Sequence, residues 1–510
     1  MNAVEMRGIT KRFPGIIAND RVDLQVEQGE IHALVGENGA GKTTLMNILY
    51  GLYQPDEGEM LLHGEKAVLQ SPRDAIKHRV GMVHQHFMLV EPLTIVENIV
   101  LGSEPTSGLW LDRRKAYDQV RRLSEAYGLK VDALARVEDT VVGMQQRAEI
   151  LKLLYRGADI LIFDEPTAVL TPQETEELFK ILRKLASDGK TILFITHKLK
   201  EIKAVTNRIT IMRMGKVVGH LVTADTTENE IASEMVGREV NLKVEKTPPK
   251  LGDVILKVNA LEANSDRNLP ALKKLTLEVR AGEILGIAGV AGNGQTELAE
   301  ALTGLRPTRG GRILLKGRDI TDLTVAGKIQ AGMAHVVGIA HIPEDRHKRG
   351  LVLDYSVALN LILGNQRKPP FAHGLLLDSP AISQNAQTMI EGFDIRTPSA
   401  DTPSRALSGG NQQKIIIARE FSRDPTLLVV VQPTRGVDVG AIEFIHKRLI
   451  EKRDQGKAIL LISMELEEIL ALSDRIAVLY EGEVVGLVDA DKTTEPELGF
   501  LMAGGGKTAA

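Results

Sequence analysis

An α/β protein built from two tandem phosphate-loop domains is the fold that this 510-residue sequence predicts. Three observations carry the expectation. Short apolar runs alternate with longer stretches of helical periodicity along the whole chain, as strands interleaved with helices do. A glycine-rich loop with the spacing Gly36-x4-Gly41-Lys42-Thr43 follows an apolar run and precedes a helical one. The stretch GEIHALVGENGAGKTT at 29–44 then returns as GEILGIAGVAGNGQTE at 282–297, 253 residues later.

Each element follows from its local pattern. Ile31–Val35 reads as a buried strand entering the first loop, and Thr43–Tyr50 as the helix leaving it. Ile160–Phe163 and Ile192–Ile195 read as further buried strands, each ending at polar groups. Residues 243–250 are charged, carry Pro248 and Pro249 and lack periodicity, which predicts a short linker over 243–252 between domains 1–242 and 253–510. Gly504 to Thr508 echoes a phosphate loop but follows no strand and opens no helix, and reads as a frayed terminus.

Composition narrows the function. Lys+Arg 63 against Asp+Glu 67 gives a net charge of -4, with no general basic surface for nucleic acid. The absence of cysteine excludes disulfides, thiolate metal sites and cysteine nucleophiles. The amino end carries Glu5 without a long apolar core, unlike a signal peptide, and no stretch approaches the ~18 apolar residues of a membrane span. The expectation is a soluble protein that meets a membrane only through a partner.

The first loop has the chemistry of a nucleotide site. Over Gly36, Glu37, Asn38, Gly39, Ala40, Gly41, Lys42, Thr43 and Thr44, glycines let backbone N–H groups curl around phosphate oxygens at a helix start. Lys42 is placed to hold the β/γ-phosphates and Thr43 to offer a hydroxyl to Mg²⁺. Asp164 and Glu165 end an apolar strand: Asp164 would support Mg²⁺ and Glu165 would polarise the attacking water. His197, after the next strand, is placed to bond the γ-phosphate, and Gln85 to complete the Mg²⁺ sphere. Phe13 reads either as a platform for adenine or as a core aromatic.

In this order the motifs resemble the ATP-binding subunit of an ABC transporter, along essentially the whole chain. The string Leu407-Ser408-Gly409-Gly410-Asn411-Gln412-Gln413 resembles the signature separating that family from other phosphate-loop ATPases. The tandem form resembles bacterial simple-sugar importers such as those for ribose or galactose. The strings IPEDRHKRG at 342–350 and QPTRG at 432–436 resemble the nucleoside-importing branch most. The resemblance implies that each half has a phosphate-loop core, an antiparallel β subdomain and an α-helical subdomain. It also implies head-to-tail packing with two sites, each combining the phosphate loop of one half with the signature of the other. It further implies a place at the cytoplasmic face of the membrane, with two permease subunits and an extracytoplasmic binding protein as partners.

Sorted by that geometry, the sequence damage falls on one side. One site takes Lys42, Thr43, Gln85, Asp164, Glu165 and His197 with Ser408, Gly409, Gly410 and Asp438, all intact. The other takes Gln295, Val431, Gln432 and Met464 in place of lysine, aspartate, glutamate and histidine. Opposite these stand Val141 and Thr171, where the other half has Ser408 and Asp438, and only Gly143 of the signature survives. Glu344 is the nearest polar candidate for the position of Gln85, and no stacking aromatic precedes Leu272. One hydrolysis per closure, with weak or absent Mg-ATP binding at the second site, is the expectation.

Two segments remain open on sequence. His86–Val90 reads as a docking surface for a membrane subunit or as a piece of the domain's own core. Asp345–Arg349 reads as a solvated loop or as a charged contact with a membrane partner or its lipids. The expected activity is ATP hydrolysis energising nucleoside import, with simple-sugar import as the alternative. A soluble ribosome-associated tandem ATPase is more remote, because that branch inserts a long charged helical linker and this chain has about ten residues there.

Overall fold

The structure, a computed structural model, describes residues 1–84, 88–107, 110–167, 170, 172–196, 198–240, 244–290, 292–330, 338–374 and 376–505. Gln85, His86, Phe87, Thr171, His197, Lys507 and Thr508, all named above, lie outside the described residues. The chain divides into two compact units, Met1–Val240 and Asn241–Ala510.

In the first unit a six-stranded sheet runs in the order Lys216–Val222, Arg208–Arg213, Ile31–Val35, Thr191–Ile195, Ile160–Asp164, Val80–Val83. Its strands are parallel apart from the Lys216–Val222 edge. A parallel sheet must be covered on both faces, so its strands are apolar throughout and sort their side chains by alternation. Ile160, Ile162, Leu193 and Ile195 enter one core, and Leu161, Phe163, Ile192 and Phe194 the other. The first core is closed by a four-stranded antiparallel sheet of Ile16–Glu27, Asn2–Phe13, Glu57–Leu62 and Glu65–Ala67. The second is closed by the helices Ile95–Val100, Arg113–Tyr127 and Val142–Tyr155, which form the helical layer.

The second unit repeats this plan. Its antiparallel sheet is Pro270–Arg280, Val254–Asn264, Gly310–Leu315, Arg318–Asp319. Its large sheet runs Ile339–Ile342, Leu427–Val431, Ala458–Ile462, Ile284–Ala288, Arg475–Tyr480, Glu483–Asp489. An ion pair with a buried carboxylate and a partly exposed arginine recurs where the loop-bearing strand begins. Arg208 donates to Glu30 at 2.9 Å in the first unit, and Arg475 to Glu283 at 2.5 Å in the second. Burial pushes the Glu30 carboxyl up, but hydrogen bonds from His32 and Arg208 outweigh it and hold the group below its usual range.

The predicted elements fall where expected, with shifted ends. The helix is Lys42–Leu49 and the strands extend to Asp164 and back to Thr191. Residues 244–252 differ in kind from a free linker. Val244 packs on the second unit's core, Lys246 Nζ donates to Ser473 O at 2.5 Å, and the buried Arg453 donates to Thr247 O at 2.9 Å. Among the described residues no helix is long and apolar enough to cross a membrane.

Candidate nucleotide site

The strand Ile31–Val35 is wholly buried and delivers the chain to the loop 36–41 at the carboxyl edge of the sheet. Two glycines there are required by space as well as by conformation. Gly36 and Gly41 have φ 154° and 99°, and a Cβ on either would collide with a backbone carbonyl, Met212 O or Ala18 O. Asn19 Nδ2 ties the Gly41 carbonyl at 3.1 Å, so the loop is braced from the antiparallel sheet. Gly41 is the N-cap of the helix Lys42–Leu49 and uses no side-chain cap, which leaves the first-turn amides open to an anion. Lys42 is buried, and its Nζ donates to Gly36 O at 2.7 Å and Glu37 O at 2.9 Å. Those carbonyls hold the ammonium over the loop interior where phosphates would sit. Thr43 is exposed one residue on.

Across the loop, Asp164 ends its strand at 8% exposure with the half-buried Glu165 beside it. Burial, then the charge of Glu165, push the Asp164 carboxyl up to about 6, against a downward pull from Lys42. Two adjacent carboxylates so placed suit a cation, which is the donor chemistry Mg²⁺ needs. No cluster of three or more His, Cys, Asp or Glu capable of holding a metal occurs among the described residues. Thr43 and Asp164 would therefore share the ion with nucleotide phosphates instead of caging it. Phe13 ends the first strand half-buried, and Tyr53 meets it edge-on at 5.5 Å and 74°. Tyr53, itself 39% exposed, was not singled out from the sequence, where nothing links it to a residue 40 positions earlier.

The second unit holds the signature. Ser408 is the N-cap of the helix Gly409–Ser422, yet its side chain makes no cap bond to that helix. Its Oγ accepts from Asn411 Nδ2 at 3.0 Å, leaving the hydroxyl proton to donate outward. The one-turn spacing of Asn411 from Ser408 is a signal that the sequence reading passed over. Asp438 caps the next helix through Ala441 N at 2.9 Å, and its other oxygen faces Gly410. The equivalent place in the first unit is Val141, 66% exposed at the start of Val142–Tyr155, with the Glu174 carboxylate against Gly143.

The repeat's own phosphate loop keeps its backbone and loses its chemistry. Gly294 is left-handed at φ 105°, matching Gly41, and caps the helix Gln295–Thr303. Gln295 is 3% exposed, and neither polar atom of its amide finds a partner among the described residues. Val431 is buried where Asp164 stands in the first unit. Gln432 Nε2 donates to Glu344 at 3.1 Å, and Arg435 pairs with the same carboxylate at 2.5 Å. Met464 is 37% exposed, and Leu272 takes the buried place beside the loop with no aromatic.

Of the two open segments, Met88 and Val90 are exposed and Leu89 packs partly on the core, so the described part of His86–Val90 is not an internal strand. Asp345–Arg349 lies at the surface, with four of its five residues exposed as a solvated loop would have them, but it is also tied into its own unit. Arg346 donates to Arg435 O at 2.9 Å, His347 bonds Gln412 at 2.9 Å and Arg349 pairs with Glu300 at 2.6 Å, so most of its charge is spent inside the unit.

The sequence pattern of the ABC transporter family matches residues 19–168 and 272–435, one stretch in each unit. The chain belongs to the ABC transporter family. Among known members, a guanosine import ATP-binding protein of Bacillus subtilis (strain 168) is 53% identical over 501 residues, covering 98% of this chain and 97% of its own. A nucleoside import ATP-binding protein of Lactococcus lactis subsp. cremoris (strain MG1363) is 51% identical over 98% of both chains. A ribose import ATP-binding protein of Rubrobacter xylanophilus is 39% identical over 99% of both. The solved complex of an archaeal ribosomal stalk protein with an archaeal ribosome recycling factor matches 98% of this chain and 92% of that one at TM-score 0.62. Its 18% identity makes that a likeness of ABC fold alone.

Proposed function

We propose that this chain hydrolyses ATP to energise nucleoside import. The reading rests on one observation: intact phosphate-loop and carboxylate machinery stands in the first unit and an intact signature in the second, while their counterparts are lost. Two relatives above 50% identity, named for guanosine and nucleoside import, support the cargo class. The more distant ribose relative makes simple sugars the alternative.

In this reading the amides of 36–44 wrap the phosphates, and Lys42 moves its ammonium from Gly36 O and Glu37 O onto the β/γ-phosphates. Phe13 stacks on the adenine, with Tyr53 fixing the ring edge-on. Thr43, Asp164 and Gln85 would hold Mg²⁺, which would offset charge on the bridging phosphate oxygens. Glu165 orients and polarises the attacking water, and His197 bonds the γ-phosphate. Ser408, the amides of Gly409 and Gly410, and Asp438 complete the site in the closed state. Closure on ATP and release on hydrolysis drive two partner permeases at the cytoplasmic face, fed by an extracytoplasmic binding protein. Gln295, Val431, Gln432 and Met464 supply none of this, so one ATP is cleaved per cycle.

The test has two arms. In purified protein, Lys42→Ala should remove ATP turnover and Gln295→Ala should leave it nearly intact; equal losses would overturn the single-site assignment. In cells lacking the gene, uptake of labelled guanosine should fall and return with the intact gene. Loss of ribose uptake alone would move the cargo to sugars.

A further inference from the structure

Just after the strand Ile339–Ile342 the second unit departs from the first. Strand starts Val80 and Ile339 stand 259 residues apart, but an equivalent pair further on does not keep that offset. Asn98 bonds the backbone of Val90, and Asn360 bonds that of Val352, an offset of 262. The second unit thus has three more residues between strand and helical layer, in a stretch that includes the wide turn Arg346–Gly350. Asp345 caps this turn, its Oδ1 accepting from His347 N at 2.9 Å and Lys348 N at 3.0 Å.

The turn aims one side chain at the signature. Arg346 Nη1 donates to Arg435 O at 2.9 Å, and its Nη2 lies so near Gly409 that a Cβ there would stand 2.7 Å from it. That same Cβ would be 2.9 Å from Gly436 O, so guanidinium and loop 432–438 together floor the first turn of the signature helix. Nε is buried and has no partner among the described residues. The neighbours hold the turn on three sides. His347 bonds the buried Gln412 on the signature helix, Arg349 pairs with Glu300 on the helix Gln295–Thr303, and Gly350 packs on Ile416.

We propose that Arg346 is a positioning residue for the phosphate cradle at Ser408–Gly410. The cradle works only if the amides of Gly409 and Gly410 point at the arriving γ-phosphate. A rigid plane bonded to Arg435 O and pressed under Gly409 fixes their direction without touching nucleotide. The electrostatics suit a site that fills and empties. A partly desolvated cation beside the positive end of a helix and near the Arg435 charge is unfavourable alone, offset only in part by Asp345, and an anion in the cradle relieves it. The counterpart of Gly410 in the first unit, Gly143, likewise has a carboxylate against it, that of Glu174, while the serine position there is the exposed Val141. The signature of the second unit is therefore held ready by its own side chains, whatever occupies the loop at Gln295.

This inference rests on the proposed role of the signature, so the test separates the two. In the full chain, Ser408→Ala is compared with Arg346→Ala and Arg346→Lys for kcat and KM of ATP hydrolysis, for affinity toward ADP, and for thermal melting. Arg346→Ala should lower kcat about tenfold, as loss of one charge-assisted contact does, with ADP affinity and melting temperature close to the parent. Arg346→Lys should recover part of kcat. Unchanged kcat in Arg346→Ala beside a lost one in Ser408→Ala overturns this inference, whereas undiminished turnover in Ser408→Ala overturns the site assignment itself. Should Arg346→Ala unfold the second unit, Gly409→Ala presses a methyl on the same guanidinium; it should lose kcat likewise, and parental kcat there overturns the proposal.

Discussion

Glu165 and Gln432 hold the same left-handed backbone, at φ 47° and 46°. Each bonds its amide to the end of the adjoining strand, Glu165 N to Ile195 O at 2.9 Å and Gln432 N to Ile462 O at 2.7 Å. Such a conformation costs a non-glycine residue about 1 kcal/mol or more, so both halves keep a strained turn that aims one side chain outward. Only the side chain differs: a carboxylate accepts a proton and an amide cannot.

Glu165→Gln therefore gives the first unit the side chain the second already has. ATP turnover should fall by about 100-fold or more while ATP still binds. The reverse change, Gln432→Glu, should create no second activity, since Gln295 and Val431 remain. It also sets a carboxylate against Glu344 and should lower the melting temperature. Single-turnover hydrolysis and equilibrium binding of ATP check the pair.

Gln295 suggests a stabilising change. Its amide is buried with both polar atoms unpaired among the described residues, a burden of about 1–3 kcal/mol that an apolar side chain of similar size removes. Gln295→Leu should raise the melting temperature of the second unit by a few degrees and leave turnover unchanged. A lowered melting temperature would mean that this amide is satisfied in solution.

Asp164 sets a pH dependence. Its carboxyl titrates near 6 in the folded protein, against an ordinary 3.8. The folded chain thus holds this proton more tightly than the unfolded chain, and the group weakens the nucleotide-free protein at neutral pH. Asp164→Asn should be more stable than the parent at pH 7.5 by about 1–3 kcal/mol. That margin should shrink as pH falls through 6 and vanish near 4, as read by denaturant titration.

Glu283 is fully buried beneath Arg475, so removing one partner strands the other's charge. Glu283→Ala should cost the second unit about 3 kcal/mol or more. Arg475→Met with Glu283→Leu should recover most of it. Melting curves of the two variants decide whether the pair is fixed by its charge or by its shape.

The loops and strands of the first site were legible because glycine spacing and unbroken apolar runs are local signals. Gly36, Gly41, Lys42, Asp164 and Glu165 all follow from residues within a few positions. What escaped was tertiary. The turn at Arg346 reads only as a basic surface loop, and its ties to Arg435, Gln412 and Glu300, 46 to 89 residues away in sequence, are invisible there. Residues 244–250 read as a linker because their partners Arg453 and Ser473 lie more than 200 positions off. Tyr53 beside Phe13 is of the same kind.

The strap at 244–252 changes where this protein can be divided. Severing at the proline pair would strip the rear portion of Val244, Lys246 and Thr247 and expose the Arg453 guanidinium they help cover. A two-gene version should instead end its front product at Val240 and start the rear one immediately after. Co-expressed pieces cut that way would each retain every stabilising contact described for them.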